Sequence, residues 1–221
     1  MKNSIALFSG VFLALTCVCA VANTKYKVED YYRPAQSIKL YGDATKSVLE
    51  GLHLRHYRHL VLNDRLSAKV FDQFIDDLDS RKMFFLKQDI EEFKQYRKKI
   101  DNMMKKGELS PLFKIYNRYQ RRMLERYVYL LTTINENLKQ FDFDKEEFID
   151  VDRDDDDWVE TVQKLDELWR KRLKNIVLGL RMDGKSDEEI KNNLTKRYEA
   201  QLKRLSQTKD EDAFVAIINS Y

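Results

Sequence analysis

The longest amphipathic stretch of the sequence begins at Ser110-Pro111 and constrains the fold more than any other feature. Ser110 is predicted to cap a helix whose first position is Pro111, because the fixed φ angle of proline suits that position. The helix is predicted to run to about Lys139, which makes it roughly 40 Å long. Its buried stripe is predicted at Leu112, Tyr116, Tyr119, Met123, Tyr127, Leu130, Ile134 and Leu138. Such a helix must lie against several other helices or reach between domains.

Shorter amphipathic stretches predict further helices on both sides of this one. The chain has only 6 Gly and 2 Pro among its 221 residues, and so few turn-forming residues favour long helices. No segment alternates apolar and polar side chains as a strand does, and no repeat recurs at a fixed period. The further helices are predicted to begin near Asp43, Ser67, Ile90, Trp158, Ser186 and Thr208. The sequence therefore predicts an all-α fold, a multi-helix bundle of about six to seven helices.

Capping residues indicate where several of these helices begin and end. Ser67 is predicted to be the N-cap of the second helix, and Gly107 is predicted to end the third. Residues 23–42 precede the first predicted helix and are expected to be an extended segment, so the helical domain is predicted at residues 43–221. Two capping boxes are predicted, Ser186 with Glu189 and Thr208 with Glu211.

Residues 1–22 are typical of a signal peptide. They have a basic start at Lys2, an apolar run, and small residues at Ala20 and Ala22, so cleavage is predicted after Ala22. The alternative is an uncleaved membrane anchor, although the apolar run is short for a membrane span. Both cysteines of the chain, Cys17 and Cys19, lie in this segment. The exported chain would therefore have neither a Cys nucleophile nor Cys ligands for zinc.

All three histidines lie within the stretch LHLRHYRH, at His53, His56 and His59. Metal-binding pairs on a helix favour a spacing of four residues. The spacing of three residues instead spreads these rings over about 120° of a helix, so they do not easily meet at one ion. The favoured interpretation is that His56 packs beside Leu49 and Leu52.

The acidic run at residues 150–157 resembles the start of a calcium-binding loop, but it lacks two required residues. The sixth position is Asp157 where an EF-hand needs glycine, and the twelfth is Gln163 where it needs a bidentate glutamate. A solvated acidic loop is therefore predicted.

Two other sets of residues suggest chemistry that the sequence does not support. Arg118, Arg121, Arg122 and Arg126 alternate with tyrosines, a mixture that occurs at nucleic-acid surfaces. The tyrosines fit the buried stripe, however, and a net charge of +3 is small, so no nucleic-acid partner is expected. Ser67 lies two residues from Lys69, but its predicted capping role leaves it no function as a nucleophile. No catalytic, cofactor-binding or metal-binding residue, and no cofactor, is therefore predicted.

Four segments resemble the N-terminal domain of the tail-specific proteases, the periplasmic carboxyl-terminal processing peptidases. The first is HYRHLVLNDRLSAKVFDQFIDDLDSRKMFFLKQDIEEF, from His56 to Phe93. The others are IYNRYQRRMLERYVYLL (residues 115–131), DRDDDDW leading to ELW (residues 152–169), and residues 194–221. They occur in the order of the family, and the resemblance covers nearly all of the chain after the signal peptide.

The resemblance implies a role in proteolysis. In the family a PDZ domain and a protease domain with a Ser-Lys dyad follow the helical domain, and protein or peptide substrates are recognised at their C-termini. The chain carries neither domain, so the resemblance implies a helical scaffold that positions them in the same polypeptide and is not catalytic alone. A helical-repeat adaptor protein is a further expected partner. The alternative is a stand-alone periplasmic helical module that binds a protein partner without catalysis.

Overall fold

A computed structural model describes residues 25–55, 63–138 and 141–221. Within these ranges the secondary structure consists of helices without any strand, so the predicted all-α fold is confirmed. The nine α-helices in these ranges are α1 (Val28–Tyr31), α2 (Lys39–Arg55), α3 (Asp64–Asp79), α4 (Lys87–Phe93), α5 (Ile100–Lys106), α6 (Ser110–Asn137), α7 (Val162–Met182), α8 (Asp187–Ser206) and α9 (Asp210–Asn219). The predicted signal peptide lies outside the described residues.

The long helix α6 connects two hydrophobic clusters. Its first half contributes to one cluster, here called the α3–α5 cluster, which includes Phe74, Phe93 and Ile100. These three side chains are almost completely buried. Its second half contributes Leu130 and Ile134 to a second cluster, here called the α7–α8 cluster. Buried side chains of α7 and α8 also belong to this cluster. The prediction that the long helix lies against several others is thus confirmed. Among the described helices, none combines the length and the apolarity that a membrane span requires.

Two predicted helix boundaries are confirmed in atomic detail. The Ser186 hydroxyl accepts a hydrogen bond from the Glu189 N–H (3.3 Å), and the Glu189 carboxylate accepts one from the Ser186 N–H (2.9 Å). Together these bonds satisfy two of the donors left unpaired at the start of α8. Gly107 ends α5 in the left-handed conformation with a φ of 73°, which a glycine adopts without steric cost.

Three other predicted caps are wrong. The N-cap of α6 is Leu109, whose carbonyl accepts from the N–H of Phe113 at 3.0 Å, so Ser110 is the first residue of the helix rather than its cap. The N-cap of α3 is Asn63, whose side chain accepts a hydrogen bond from the Leu66 N–H (3.0 Å), while Ser67 lies one turn inside the helix. Asparagine caps as well as serine does, so the sequence alone did not separate the two. The cap of α9 is Lys209 rather than Thr208, and the Asp212 carboxylate accepts its backbone N–H at 2.7 Å.

Two further differences between prediction and structure concern an interrupted helix and a helix that begins earlier than predicted. A tertiary contact accompanies each of them. The predicted third helix is divided into α4, a 3₁₀ turn at Lys94–Tyr96, and α5. At this break Arg97 binds both carboxylate oxygens of Asp72 in α3, at 2.8 and 2.5 Å. The segment predicted as extended, residues 23–42, contains the short helix α1 and the first turn of α2. The stacking of the Tyr41 ring on Phe214 at 4.6 Å accompanies this early start of α2.

Helices α2 and α5 approach each other closely through two glycines. A Cβ atom placed on Gly42 would lie 2.4 Å from the carbonyl oxygen of Gly107. One placed on Gly107 would lie 2.9 Å from the carbonyl oxygen of Gly42. Real Cβ atoms do not approach backbone oxygens so closely, so this contact requires both glycines.

Candidate functional site

The segment Met83-Phe84-Phe85-Leu86, here called the connector, joins α3 to α4 and is enclosed by two buried carboxylates. Asp79 is the last residue of α3, and Asp89 lies in the first turn of α4. Their exposed fractions are 3% and 0%. Because buried charges are costly unless they are hydrogen-bonded, both carboxylates require several donors.

Asp79 is satisfied by the backbone of the connector and by one tryptophan. Its carboxylate accepts hydrogen bonds from the N–H groups of Met83 (2.7 Å), Phe84 (3.1 Å) and Phe85 (2.9 Å). The indole N–H of Trp158 donates a fourth, at 3.1 Å. Burial raises the pKa of Asp79, and these four donors oppose that rise. The carboxylate thereby fixes the backbone of an irregular segment by binding three of its N–H groups.

Asp89 connects the other end of the connector to α6. Its carboxylate accepts from the Leu86 N–H (3.0 Å) and from the Nε (2.8 Å) and Nη2 (3.1 Å) of Arg122. Arg118 of α6 also donates to it. Burial by itself would raise the pKa of Asp89, but the Arg122 and Arg118 guanidinium groups and the Leu86 N–H hold it below its usual value. The pair of arginines thus compensates a fully buried charge.

Aromatic side chains extend the connector into both hydrophobic clusters. The indole N–H of Trp169 donates to the Met83 carbonyl at 2.7 Å. Phe85 belongs to the α3–α5 cluster, whereas Met83 belongs to the α7–α8 cluster. The Tyr119 ring of α6 lies 5.6 Å from the ring of Phe84, edge-on. The connector, the two aspartates, the two tryptophans and the two arginines together form what we call the connector network, which joins the two halves of the fold.

The connector network lies in the segments that carry the family resemblance. A family model described as the tail specific protease N-terminal domain matches residues 48–221. This chain belongs to that family. A curated relative, the tail-specific protease of Haemophilus influenzae, is 36% identical over 179 residues, which cover 80% of this chain and 25% of the relative. The chain therefore spans about a quarter of the length of the relative that it matches.

In this tail-specific protease N-terminal domain, the connector network holds the connector against α3, α4 and α6. Its carboxylates, guanidinium groups and indole N–H groups bind one another and the backbone. The serine that lies near a lysine in sequence is likewise occupied. Ser67 is buried, its hydroxyl donates to the Asp101 carboxylate at 2.8 Å, and it accepts from the Asp101 N–H at 2.9 Å.

The structure describes only some of the other residues that the sequence singled out. His56 and His59, and the side chain of His53, lie outside the described residues. The aspartates of the acidic run are largely exposed, as predicted. In the described part of the chain, no three or more His, Cys, Asp or Glu side chains are grouped so that they could hold a metal ion.

The four arginines of α6 form ion pairs with carboxylates of neighbouring helices or of α6 itself. Arg118 and Arg122 bind Asp89, as described above, and Arg126 pairs with Asp166 of α7. Arg121 lies within ion-pair distance of Glu125 in α6 (3.4 Å) and of Glu29 in α1 (3.6 Å). The arginines therefore contribute to contacts between helices.

Sequence reasoning did not identify the roles of Asp79, Asp89, Trp158 and Trp169. One local signal was available, because Asp89 follows Leu86 by three residues, the spacing at which an acidic side chain caps the start of a helix. The partners of Asp79 include Trp158, which is 79 residues away. No local pattern encodes such a contact.

Proposed function

We propose that this chain is the helical scaffold of a periplasmic tail-specific serine endopeptidase, in which it positions PDZ and Ser-Lys protease domains of the same polypeptide. The observation that carries the proposal is the connector network, because its side chains bind one another and the backbone and so hold helices of the family segments together. The family match over residues 48–221 supports placing this scaffold in a protease. The substrates would be proteins or peptides recognised at their C-termini.

Exposed apolar side chains support a docking role for the scaffold. Phe148 is 81% exposed and Met182 is 80% exposed. Leu178, one turn before Met182 on α7, is also exposed. Large apolar side chains grouped at a surface commonly mark contacts with other protein parts. In a longer polypeptide, the remaining domains would cover such side chains.

Deletion of this domain from a complete relative tests the proposal. We expect that removing the matched region from the Haemophilus influenzae tail-specific protease lowers the cleavage rate of a peptide substrate more than about tenfold, because the substrate-binding and cleaving domains lose their relative position. The rate is measured with a peptide that has a free C-terminus. Size-exclusion chromatography establishes whether the shortened protein is folded and monodisperse. A folded deletion variant that cleaves at the unchanged rate would contradict the scaffold role.

A further inference from the structure

A polar groove of about 470 Å³ lies between the extended segment at residues 32–37 and the first half of α6. Three cationic side chains of α6 line it, those of Lys114, Arg118 and Arg121. Among the described residues that line the groove, none carries a carboxylate. The wall opposite the cations presents neutral polar groups, including Gln36 and Ser37. The floor of the groove therefore presents cationic side chains and no carboxylate, and it is chemically distinct from the apolar side chains on α7.

The second wall of the groove is held in place by Asn117 of α6. The Asn117 side-chain oxygen accepts from the Ala35 N–H at 2.8 Å, and its amide nitrogen donates to the Ala35 carbonyl at 2.9 Å. Ala35 is buried in the α3–α5 cluster. The backbone N–H of the next residue, Gln36, donates to Asp210 of α9 at 2.7 Å. Because both backbone groups of Ala35 are bound, the groove is formed before any ligand enters, which lowers the entropic cost of binding.

Two of the three cations keep hydrogen-bond donors for a ligand. Lys114 uses one of its three donors, on Glu92 at 2.6 Å. Arg121 lies 3.4 Å or more from its carboxylate neighbours and makes no hydrogen bond to them in the described residues. Arg118 is committed to Asp89 and Glu92. Lys114 and Arg121, which are about half exposed, are therefore the side chains available to an incoming anion.

The two available cations are far enough apart to contact separate residues of an extended polypeptide. Lys114 and Arg121 lie on one face of α6, and the rise between them is roughly 10.5 Å. Side chains on one face of an extended chain recur about every 6.6 Å. Long, rotatable side chains on both partners would thus let different carboxylates of one extended peptide reach Lys114 and Arg121.

The surroundings of the groove favour a peptide over a nucleic acid. Glu29, Glu92 and Glu125 border the cations at ion-pair distance. A polyanion with a charge on every unit would be repelled by these carboxylates, whereas a peptide places neutral residues between its acidic ones. We propose that the groove binds an extended, acidic segment of a polypeptide through Lys114 and Arg121. This proposal does not depend on the scaffold role.

Fluorescence anisotropy with a labelled ten-residue peptide of alternating Glu and Ser tests the proposal on the chain without residues 1–22. We expect saturable binding that weakens as salt increases, because exposed charges are screened. The double variant Lys114→Gln/Arg121→Gln should bind at least about tenfold more weakly. A matched control, Lys196→Gln/Lys203→Gln, removes the same charge from exposed positions of α8, outside the groove. This control should bind within about twofold of the unchanged chain.

Several outcomes would overturn the groove assignment. Equal weakening by the two double variants would mean that only the net charge of the chain matters. Equal binding of a peptide with Gln in place of every Glu would remove the role of the carboxylates. Tighter binding of a ten-nucleotide single strand would assign the groove to a nucleic acid. Circular dichroism of both variants, expected to be unchanged, separates loss of binding from loss of fold.

Discussion

Asp89→Ala is expected to lower the free energy of unfolding by about 3–5 kcal/mol, the cost of removing one partner from a buried ion pair. The substitution removes the buried carboxylate that Arg118 and Arg122 share and leaves them only their partly exposed partners, Glu92 and Glu125. It also leaves the Leu86 N–H without an acceptor. The measurement is urea denaturation followed by far-ultraviolet circular dichroism.

The matched control for this variant is Glu91→Ala in the same helix. Glu91 is exposed and pairs with Lys94 at 2.5 Å, so its removal is expected to change stability by no more than about 0.5 kcal/mol. A similar small loss for both variants would contradict the structural role assigned to Asp89.

The pH dependence of stability provides a second test of the same ion pair. The pKa of Asp89 is lowered in the folded chain, so the unfolded chain takes up a proton first as the pH falls. The contribution of Asp89 to the free energy of unfolding is therefore complete when the pH is above about 4, the ordinary pKa of aspartate. It is lost as the pH falls below that value. The difference between the unchanged chain and Asp89→Ala should accordingly shrink as the pH falls below about 4. A difference that stays constant from neutral pH to pH 3 would contradict this.

Gly42→Ala is expected to destabilise the fold by about 2 kcal/mol, although alanine favours a helix more than glycine does by about 1 kcal/mol. The new methyl group would lie 2.4 Å from the Gly107 carbonyl oxygen. That oxygen belongs to the backbone and does not move by a rotamer change, so α2 and α5 must separate. Urea denaturation again gives the free energy of unfolding.

Gly51→Ala is the matched control, because it changes the same residue type in the same helix. A Cβ atom at Gly51 would meet no heavy atom within 4 Å. This substitution is expected to stabilise the chain by up to about 1 kcal/mol through helix propensity alone. The opposite signs of the two changes would establish that the close approach, and not the loss of glycine itself, determines the effect of Gly42→Ala.

Features encoded by neighbouring residues were predictable from the sequence. The helix α6, the capping box of Ser186 and Glu189, and the left-handed end of α5 at Gly107 each depend on residues within a few positions of one another. The resemblance to the tail-specific proteases was carried by segments that the family model also matches.

Features that depend on distant residues were not predictable in the same way. Ser67 was predicted as a cap because serine often begins helices, yet its hydroxyl pairs with Asp101, 34 residues away. The break between α4 and α5 accompanies the pair of Arg97 and Asp72. Periodicity reports which face of a helix is buried, but it contains no information on which polar side chains meet across helices.

The cleavage rate of a chimeric protease is the sharpest test of the scaffold role. Residues 48–221 of this chain would replace the matched region of the Haemophilus influenzae tail-specific protease, with which the chain shares 36% identity. We expect the chimera to recover at least about a tenth of the parental cleavage rate, because the scaffold restores the relative position of the other domains. A folded, monodisperse chimera that cleaves no faster than the deletion variant would contradict the scaffold role.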